Sequence, residues 1–327
     1  MILVTGGAGF IGSNLVAALE ARGLPIAVCD RLGQEAKWRN LAKRELAALF
    51  PPEGLDEFLA RAGGSLAAVF HLGAISDTSE RDADLVIATN FALSEKLWHW
   101  CAERGTRLIY ASSAATYGNG TAGFDDDAAP ETLARLRPLN PYGWSKLLFD
   151  RRVARLLREE VRPPPQWAGL RFFNVYGPNE YHKGGMRSVA VQVFERLAAG
   201  EPATLFRSHN PRYPDGGQLR DFVWVGDCVD VMLWLYDNPK VSGLFNLGTG
   251  KARSFADLAA AVAAALGKPA AIHYVDTPEA LRAQYQYFTE AAMDRLRRAG
   301  YKRPFTALED GIGFYVKEYL ATPDPYL

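Results

Sequence analysis

Gly6, Gly9 and Gly12 give the chain a G-x-x-G-x-x-G turn within its first dozen residues, and nothing else in the sequence restricts the fold as much. Ile2 to Thr5 is a short apolar run with β-branched residues that ends at Gly6-Gly7, which reads as a buried strand. Residues 13–22 then place Leu15, Val16 and Leu19 at helical spacing and stop at Gly23. Ile26 to Cys29 is a second apolar run, closed by Asp30. Strand, glycine turn, helix and strand in that order make a βαβ unit. Glycines at such a junction allow a tight turn and let main chain approach a pyrophosphate. The helix N-terminus offers it unpaired N–H donors and a positive dipole end. Asp30 stands where a carboxylate receives the ribose hydroxyls of a dinucleotide. Arg31 and Lys37 follow closely and could face a 2′-phosphate, which tilts the cofactor toward NADP and leaves NAD open.

The alternation continues down the chain. Residues 67–72 and 107–111 read as strands, with 85–103 as the long helix between them; 143–160 reads as a helix and 169–175 as another strand. Strands separated by helices predict an α/β fold with a doubly wound parallel sheet of the Rossmann type, with ligands beyond the carboxyl ends of the strands. After residue 176 the texture changes. Residues 176–187 and 207–220 are rich in Gly, Pro, Asn and Tyr and read as functional loops. Helices are expected at 188–199, 227–237 and 254–266, and strand-like pieces at Thr204–Phe206 and Ile272–Val275. The expected division is a dinucleotide-binding part, 1–175, and a smaller α/β substrate-binding region, 176–327, interleaved with segments near 220–250 that return to the first.

Composition excludes several other classes. The chain has 327 residues, 37 Lys and Arg against 37 Asp and Glu, and no net charge, so no bulk field favours nucleic acid. Three separated cysteines, Cys29, Cys101 and Cys228, make no disulfide framework or Cys-rich zinc module. The five histidines show no ligand spacing, so no metal site is expected. No apolar run approaches the roughly 20 residues of a membrane span, and the first residues lack the basic start of a signal peptide. A cytoplasmic protein without membrane or nucleic-acid partners is expected.

Tyr142 and Lys146 are spaced i, i+4 and share a helix face, and Ser113 follows the strand at 107–111. A tyrosine has an unperturbed pKa of about 10, so it needs help to act as a base near neutrality. A lysine ammonium beside it gives that help, and a serine hydroxyl orients a substrate alcohol.

At these residues the chain resembles the extended short-chain dehydrogenase/reductases, the nucleotide-sugar epimerases and dehydratases. The resemblance runs through TGGAGFIGSN (5–14), HLGA (71–74), ASSAATYG (111–118), PYGWSK (141–146), RFFNVYGP (171–178), RDFVWVGD (220–227) and NLGTG (246–250). Dehydratases of the family carry an acidic pair where this chain has Ala114 and Ala115, which argues against dehydration. NVYGPNEYHKGGMRSVA (174–190), above all HKG (182–184), and AQYQYFTEAAMDRLRRAGY (283–301) look like the branch formed by ADP-L-glycero-D-manno-heptose 6-epimerases. UDP-hexose 4-epimerases are the neighbouring alternative, and a non-catalytic dinucleotide-binding protein a more distant one.

The resemblance implies that Gly6, Gly9, Phe10, Ile11 and Gly12 line the pyrophosphate turn and that Asp30, Arg31 and Lys37 surround the adenosine ribose. It places Leu72, Gly73, Ala74, Ile75, Ser76, Asn90 and Val175 along the cofactor. Ser113 and Tyr142 would engage the substrate hydroxyl, Lys146 the nicotinamide ribose, and Lys183 would be a second acid/base group. Asn174, Phe206, Arg207, Ser208, His209, Arg220 and Tyr285 would hold the nucleotide-sugar, Arg220 by its forked donors. Gly185 and Gln192 take the places of a serine and a histidine near the substrate. The stretch 207–219 is longer than the family pattern. The resemblance also implies a homo-oligomer, with a pentamer as the expected size.

Other conspicuous residues have plainer readings. His71 is expected to pack or bond at a strand end, Trp98 and Trp100 to lie in the core or a subunit interface, and Cys101 and Cys228 to be small buried groups. Arg151–Arg158 reads as a solvated helix face, and Asp125–Asp127 as an exposed turn.

Overall fold

The computed structural model describes residues 1–282 and 285–327, so Ala283 and Gln284, which open the 283–301 stretch, lie outside the described residues. In chain order the strands are β1 (Ile2–Thr5), β2 (Ile26–Cys29), β3 (Ala48–Phe50), β4 (Ala68–His71), β5 (Arg107–Ser113), β6 (Trp167–Phe172), β7 (Asn174–Tyr176), β8 (Ala203–Phe206), β9 (Leu219–Trp224), β10 (Gly243–Leu247), β11 (Ala252–Ser254) and β12 (Ile272–Val275). Seven of them form one sheet in the order β10-β6-β5-β4-β1-β2-β3. Every pairing in it is parallel. The chain therefore has the doubly wound α/β architecture, and the carboxyl ends of β1, β4, β5 and β6 open on one edge.

Both faces of this sheet are covered, which is why its strands read as nearly continuous apolar runs. On one face Leu15, Val16 and Leu19 of the helix Phe10–Glu20 pack with Val229 and Met232 of the helix Val225–Asp237. On the other, Leu97, Trp98 and Cys101 of the helix Leu93–Arg104 meet Phe149 and Val153 of the helix Pro141–Arg158. Trp98 is wholly enclosed against Phe149 and Trp167, with ring centroids 6.4 and 5.7 Å away. Cys101 and Cys228 are buried too, and burial pushes the Cys101 thiol up to about 12. A second, smaller core gathers Val191, Val193, Leu205, Leu258, Val262 and Ile312 beside the pairs β8–β12 and β11–β9–β7.

Several elements differ from the sequence reading. The run expected as one strand over 169–175 is two. Phe173 donates its N–H to Leu247 O at 3.0 Å and its carbonyl accepts from Val175 N at 3.0 Å. That three-residue turn sends β7 out of the main sheet to pair with β9. The helix expected over 85–103 contains a π-helical stretch, Ile87–Ala92, before Leu93–Arg104. The helix expected from 143 begins at Pro141: Asn140 accepts the Gly143 N–H at 2.8 Å, and Pro141 fits the first turn where no N–H is needed. The triplet Asp125–Asp127 is not simply an exposed turn, because Asp126 is buried and accepts the Asn246 N–H at 2.8 Å. In 151–158, Arg155 and Arg158 are exposed while Val153, Ala154 and Leu156 are buried, the pattern of a solvated face.

Candidate active site

At the carboxyl edge of the main sheet lies a cleft of about 680 Å³. The glycine turn forms its floor. A side chain at Gly12 would stand 2.1 Å from the Gly6 carbonyl oxygen, so helix and strand approach this closely only with glycine there. No side chain caps the helix that starts at Phe10, which leaves its first-turn N–H groups for an anionic ligand. Asp30 ends the second strand. One of its carboxylate oxygens accepts the Ala8 N–H at 2.8 Å, and the other meets Lys37 Nζ at 2.7 Å. Lys37 also donates to the Arg31 carbonyl at 2.8 Å.

The loop after β4, Leu72 to Ser76, forms a side wall. Leu72 N donates to Thr5 O at 3.0 Å and Gly73 N to Thr5 Oγ1 at 3.2 Å. Asn90, buried in the π-helical stretch, accepts the Ile75 N–H at 2.8 Å and returns a bond to the Ile75 carbonyl at 2.9 Å. It also donates to Ser145 Oγ at 3.0 Å, and Ser145 Oγ donates to the Tyr142 carbonyl at 2.7 Å. Asn90 therefore ties the cofactor-side loop to the turn that carries Tyr142.

Ser113 ends β5, and its hydroxyl accepts the Ala115 N–H at 3.1 Å. Burial pushes the Tyr142 phenol up, opposed by the Ser113 hydroxyl. Lys146, one turn on and buried, is driven down to about 8 by burial, while Asp150 pulls it the other way. A side chain at Gly143 would come within 2.7 Å of the Ala115 carbonyl, so glycine there lets the tyrosine helix close onto the turn after Ser113. Beneath them His71 is buried between Thr5 Oγ1 at 2.7 Å and Ser94 Oγ at 2.8 Å. Burial, and then Lys146, lower its pKa to about 3, so the imidazole is neutral at neutral pH.

The opposite wall is the loop after β7. Lys183 stands 5.8 Å from the Phe10 ring centroid; burial lowers its pKa, against Glu180 and Asp77. Glu180 is buried and accepts from Ser188 Oγ at 2.8 Å, Tyr315 OH at 3.2 Å and Gly177 N at 3.3 Å, as well as from the Ser188 N–H. It closes the loop on itself. His182 meets Asn40 at 3.2 Å, and burial followed by Lys37 and Lys183 lowers it to about 4.

One cavity thus brings together Gly6, Gly9, Phe10, Ile11, Gly12, Asp30, Lys37, Leu72, Gly73, Ala74, Ile75, Ser76, Ser113, Tyr142, Lys146, Asn174, Val175 and Lys183. Others fall elsewhere. Arg31 does not line the cleft: it is exposed and pairs with Glu53. Asn90 does not line the cleft but braces the loop that does. Gln192 is exposed and donates to the Arg187 carbonyl at 3.0 Å, because the helix Val189–Ala198 turns that face to solvent. Gly185 is likewise exposed. Arg220 lies beyond the cleft, its guanidinium 5.6 Å from Phe255, which lines the cleft, and 5.4 Å from Tyr285. Phe206 faces Tyr285 at 6.3 Å. Arg207 and His209 are exposed, the His209 N–H on Tyr287 OH at 3.1 Å, and the Ser208 N–H is held by Asp215 at 2.8 Å. These side chains form a separate aromatic and basic group next to the cleft. The sequence reading gave no role to Glu180, His182 and Ser145; the first two lie three residues and one residue before Lys183 in the loop motif, and Ser145 lies within PYGWSK. Among the described residues no group of three or more His, Cys, Asp or Glu side chains is arranged for a metal, and no helix is long and apolar enough to cross a membrane.

The family model described as the NAD dependent epimerase/dehydratase family matches residues 2–248. The chain belongs to that family. It is 49% identical over 330 residues, covering 100% of both chains, to the ADP-L-glycero-D-manno-heptose-6-epimerase of Nitratidesulfovibrio vulgaris (strain DP4). Among solved structures it resembles the Helicobacter pylori enzyme of the same name, with TM-score 0.78 and 28% identity over 97% of this chain and 95% of that one. It also resembles the Thermus thermophilus UDP-glucose 4-epimerase in complex with NAD, with TM-score 0.72 and 29% identity over 95% and 96%. The residues present fit the dinucleotide that the family name implies: the side-chain-free cradle at Gly12, the uncapped helix start and Asp30 form one continuous floor.

Proposed function

We propose that the chain is an ADP-L-glycero-D-manno-heptose 6-epimerase, inverting the C6 alcohol of its sugar through a ketone. The observation that carries this reading is Lys183, a second acid/base side chain lining the same cleft as Ser113, Tyr142 and Lys146. The 49% identity to a relative of that name over its whole length supports the substrate.

The bound dinucleotide supplies the acceptance and return of a hydride. Ser113 and Tyr142 hold the alcohol from the sheet edge, with Lys146 favouring the tyrosinate. Lys183 meets the alcohol oxygen in the position that it takes in the other epimer, after the ketone has turned over. Two acid/base residues answer to two oxygen positions. Asn174, Arg220, Tyr285 and the 206–209 segment receive the nucleotide-sugar, Arg220 at the diphosphate. Gly185 and Gln192, both exposed, have no part in this reading.

NADP is our preferred dinucleotide. Lys37 offsets the Asp30 charge at 2.7 Å, and Arg31, paired with Glu53 at the surface in this structure, would exchange that exposed partner for a 2′-phosphate. Residues 1–175 would bind the dinucleotide and 176–327 the sugar, with 220–250 returning; β10 in the main sheet and β8–β12 outside it support that division. A cytoplasmic homo-oligomer, a pentamer, completes the proposal, and light scattering measures its size.

The test is a panel of nucleotide-sugars with the purified protein, followed by denaturation and identification of the released nucleotide. Turnover of the ADP-heptose and release of NADP are expected. Turnover of UDP-galactose with none of the ADP-heptose would move the chain to the UDP-hexose 4-epimerases.

A further inference from the structure

We propose that Asp150, clamped by Arg171 and Ser112, is a positioning residue that acts through Lys146, its field holding the charge of that ammonium. The proposal rests on the reading of Lys146 as the group that supports Tyr142.

Lys146 and Asp150 are spaced i, i+4 on the helix Pro141–Arg158 and therefore share a face one turn apart. Lys146 lines the cleft; Asp150 lies behind it, fully enclosed. Arg171 on β6 donates from Nε and from Nη2 to the same Asp150 oxygen, each at 3.0 Å. Ser112 on β5 donates to that oxygen at 2.9 Å, and Tyr110 reaches the other at 3.4 Å. Strand alternation explains the division of labour on β5: Ser113 serves the cleft, whereas Ser112 serves Asp150. The clamp is braced in turn. Arg171 Nη1 donates to Tyr117 OH at 2.9 Å, and that hydroxyl donates to Asn246 Oδ1 at 2.6 Å. The side chains of Asp150 and Arg171 are 0% exposed. A buried ion pair gains little net stability over a well-packed apolar pair of similar volume. Placed directly behind the cleft lysine, it has an electrostatic use.

The groups around Lys146 make that use specific. From its own helix come Tyr142 and Asp150, and from β4 His71; Tyr110 on β5 reaches Asp150. Arg171 on β6 and Tyr117 after β5 stand behind Asp150. His71 is neutral, and burial keeps the Tyr110 and Tyr117 phenols protonated. Among the described residues Asp150 is the negative group whose field bears on Lys146. Burial alone would drive the ammonium toward the neutral amine, and Asp150 opposes it. Arg171 is needed because burial pushes the Asp150 carboxyl up; the guanidinium first, then the Ser112 hydroxyl, oppose that shift, and their three donors on one oxygen suit a carboxylate.

The experiment labels lysine side chains with ¹³C at Cε in the holoprotein and assigns the Lys146 signal by its loss in Lys146→Arg. Its titration is then followed in the wild type, Asp150→Asn, Asp150→Glu and the charge-neutral double variant Asp150→Asn/Arg171→Leu. The Lys146 midpoint is expected to fall by about one pH unit or more in Asp150→Asn, the size of effect of a close opposite charge. It should fall by less in the double variant and stay near the wild-type value in Asp150→Glu. The basic limb of kcat should move to lower pH by the same amount. An unchanged midpoint in the folded double variant would overturn the proposal; this variant removes both members of the buried ion pair, so neither is left without its partner. Full activity in Lys146→Met with the midpoint still shifting in Asp150→Asn would instead refute the role given to Lys146, and the coupling would stand.

Discussion

On one wall of the cleft Ser113, Tyr142 and Lys146 stand on β5 and on an 18-residue helix, tied to the neighbouring strands by Asn90, Ser145, Asp150 and Arg171. On the other, Lys183 stands on a short turn, Tyr181–Met186, pinned by Glu180 to Ser188 and Tyr315, by His182 to Asn40, and by the Tyr181 hydroxyl to the Pro325 carbonyl. The first wall is built on a strand and a long helix, whereas the second is an irregular turn pinned by side chains at scattered points. A rigid wall suits a tyrosine that must meet a reacting oxygen within hydrogen-bond reach. A loop wall lets the second group adapt to a sugar that turns over between two poses. On the proposed reading, chemistry common to the family falls to the sheet edge and discrimination between sugars to the loop.

That contrast can be broken most forcefully by removing one acid/base group from each wall. Tyr142→Phe is expected to lower kcat by about 10²–10⁴-fold, with the dinucleotide still retained. Lys183→Met should also lower kcat, with the same retention. Full epimerase activity in both enzymes would end the two-base reading. Gly12→Ala should act differently, through binding. With its new methyl 2.1 Å from the Gly6 carbonyl unless the turn shifts, the protein should lose the retained dinucleotide, measured by absorbance after gel filtration. Glu180→Ala should affect the loop wall alone. It leaves the Ser188 and Tyr315 donors unpartnered, a cost of about 1–3 kcal/mol, and should reduce kcat by about tenfold while nucleotide retention is unchanged. Equal loss of nucleotide in Glu180→Ala would show that the walls are not independent.

The smallest effect concerns stability against pH. His71 sits under the rigid wall with a pKa of about 3, against 6.5 without its surroundings. Between those values the unfolded chain binds a proton that the folded chain does not. The His71 contribution is therefore complete above about pH 6.5 and is lost as the pH falls toward 3, at a limiting slope of about 1.4 kcal/mol per pH unit. Denaturant titrations of His71→Asn should show a shallower dependence on acid than the wild type. An identical slope would mean that the imidazole is not held neutral.

Most of the rigid wall was legible in the sequence, and the physical reason is local. β1, β2, β4 and β5 are apolar runs bounded by turns, and Tyr142 with Lys146 is an i, i+4 pair on a helix that the periodicity reveals. What escaped depends on residues far apart in the chain. Asn90 meets Ser145 across 55 residues and Asp150 meets Arg171 across 21, and neither pairing leaves a periodic trace. β3 escaped because it is three residues long with none of them fully buried, and β10 because Gly243 and Asn246 interrupt its apolar run. The Arg31 pairing with Glu53, 22 residues on, is likewise invisible to a reading that sees only its nearness to Asp30. Lys183 was found only through its loop motif; the turn around it has neither helical nor strand periodicity.

The most direct measurement follows the conversion of ADP-D-glycero-D-manno-heptose by NMR in deuterium oxide, with the holoprotein and no added dinucleotide. A hydride taken from C6 and returned to it from within the closed cleft yields the L-glycero epimer with no deuterium at C6, and that is the expected result. Epimer carrying deuterium at C6 would mean that the carbon exchanges a proton with solvent. That outcome, or no epimer at all from protein that retains its nucleotide, would contradict the assignment.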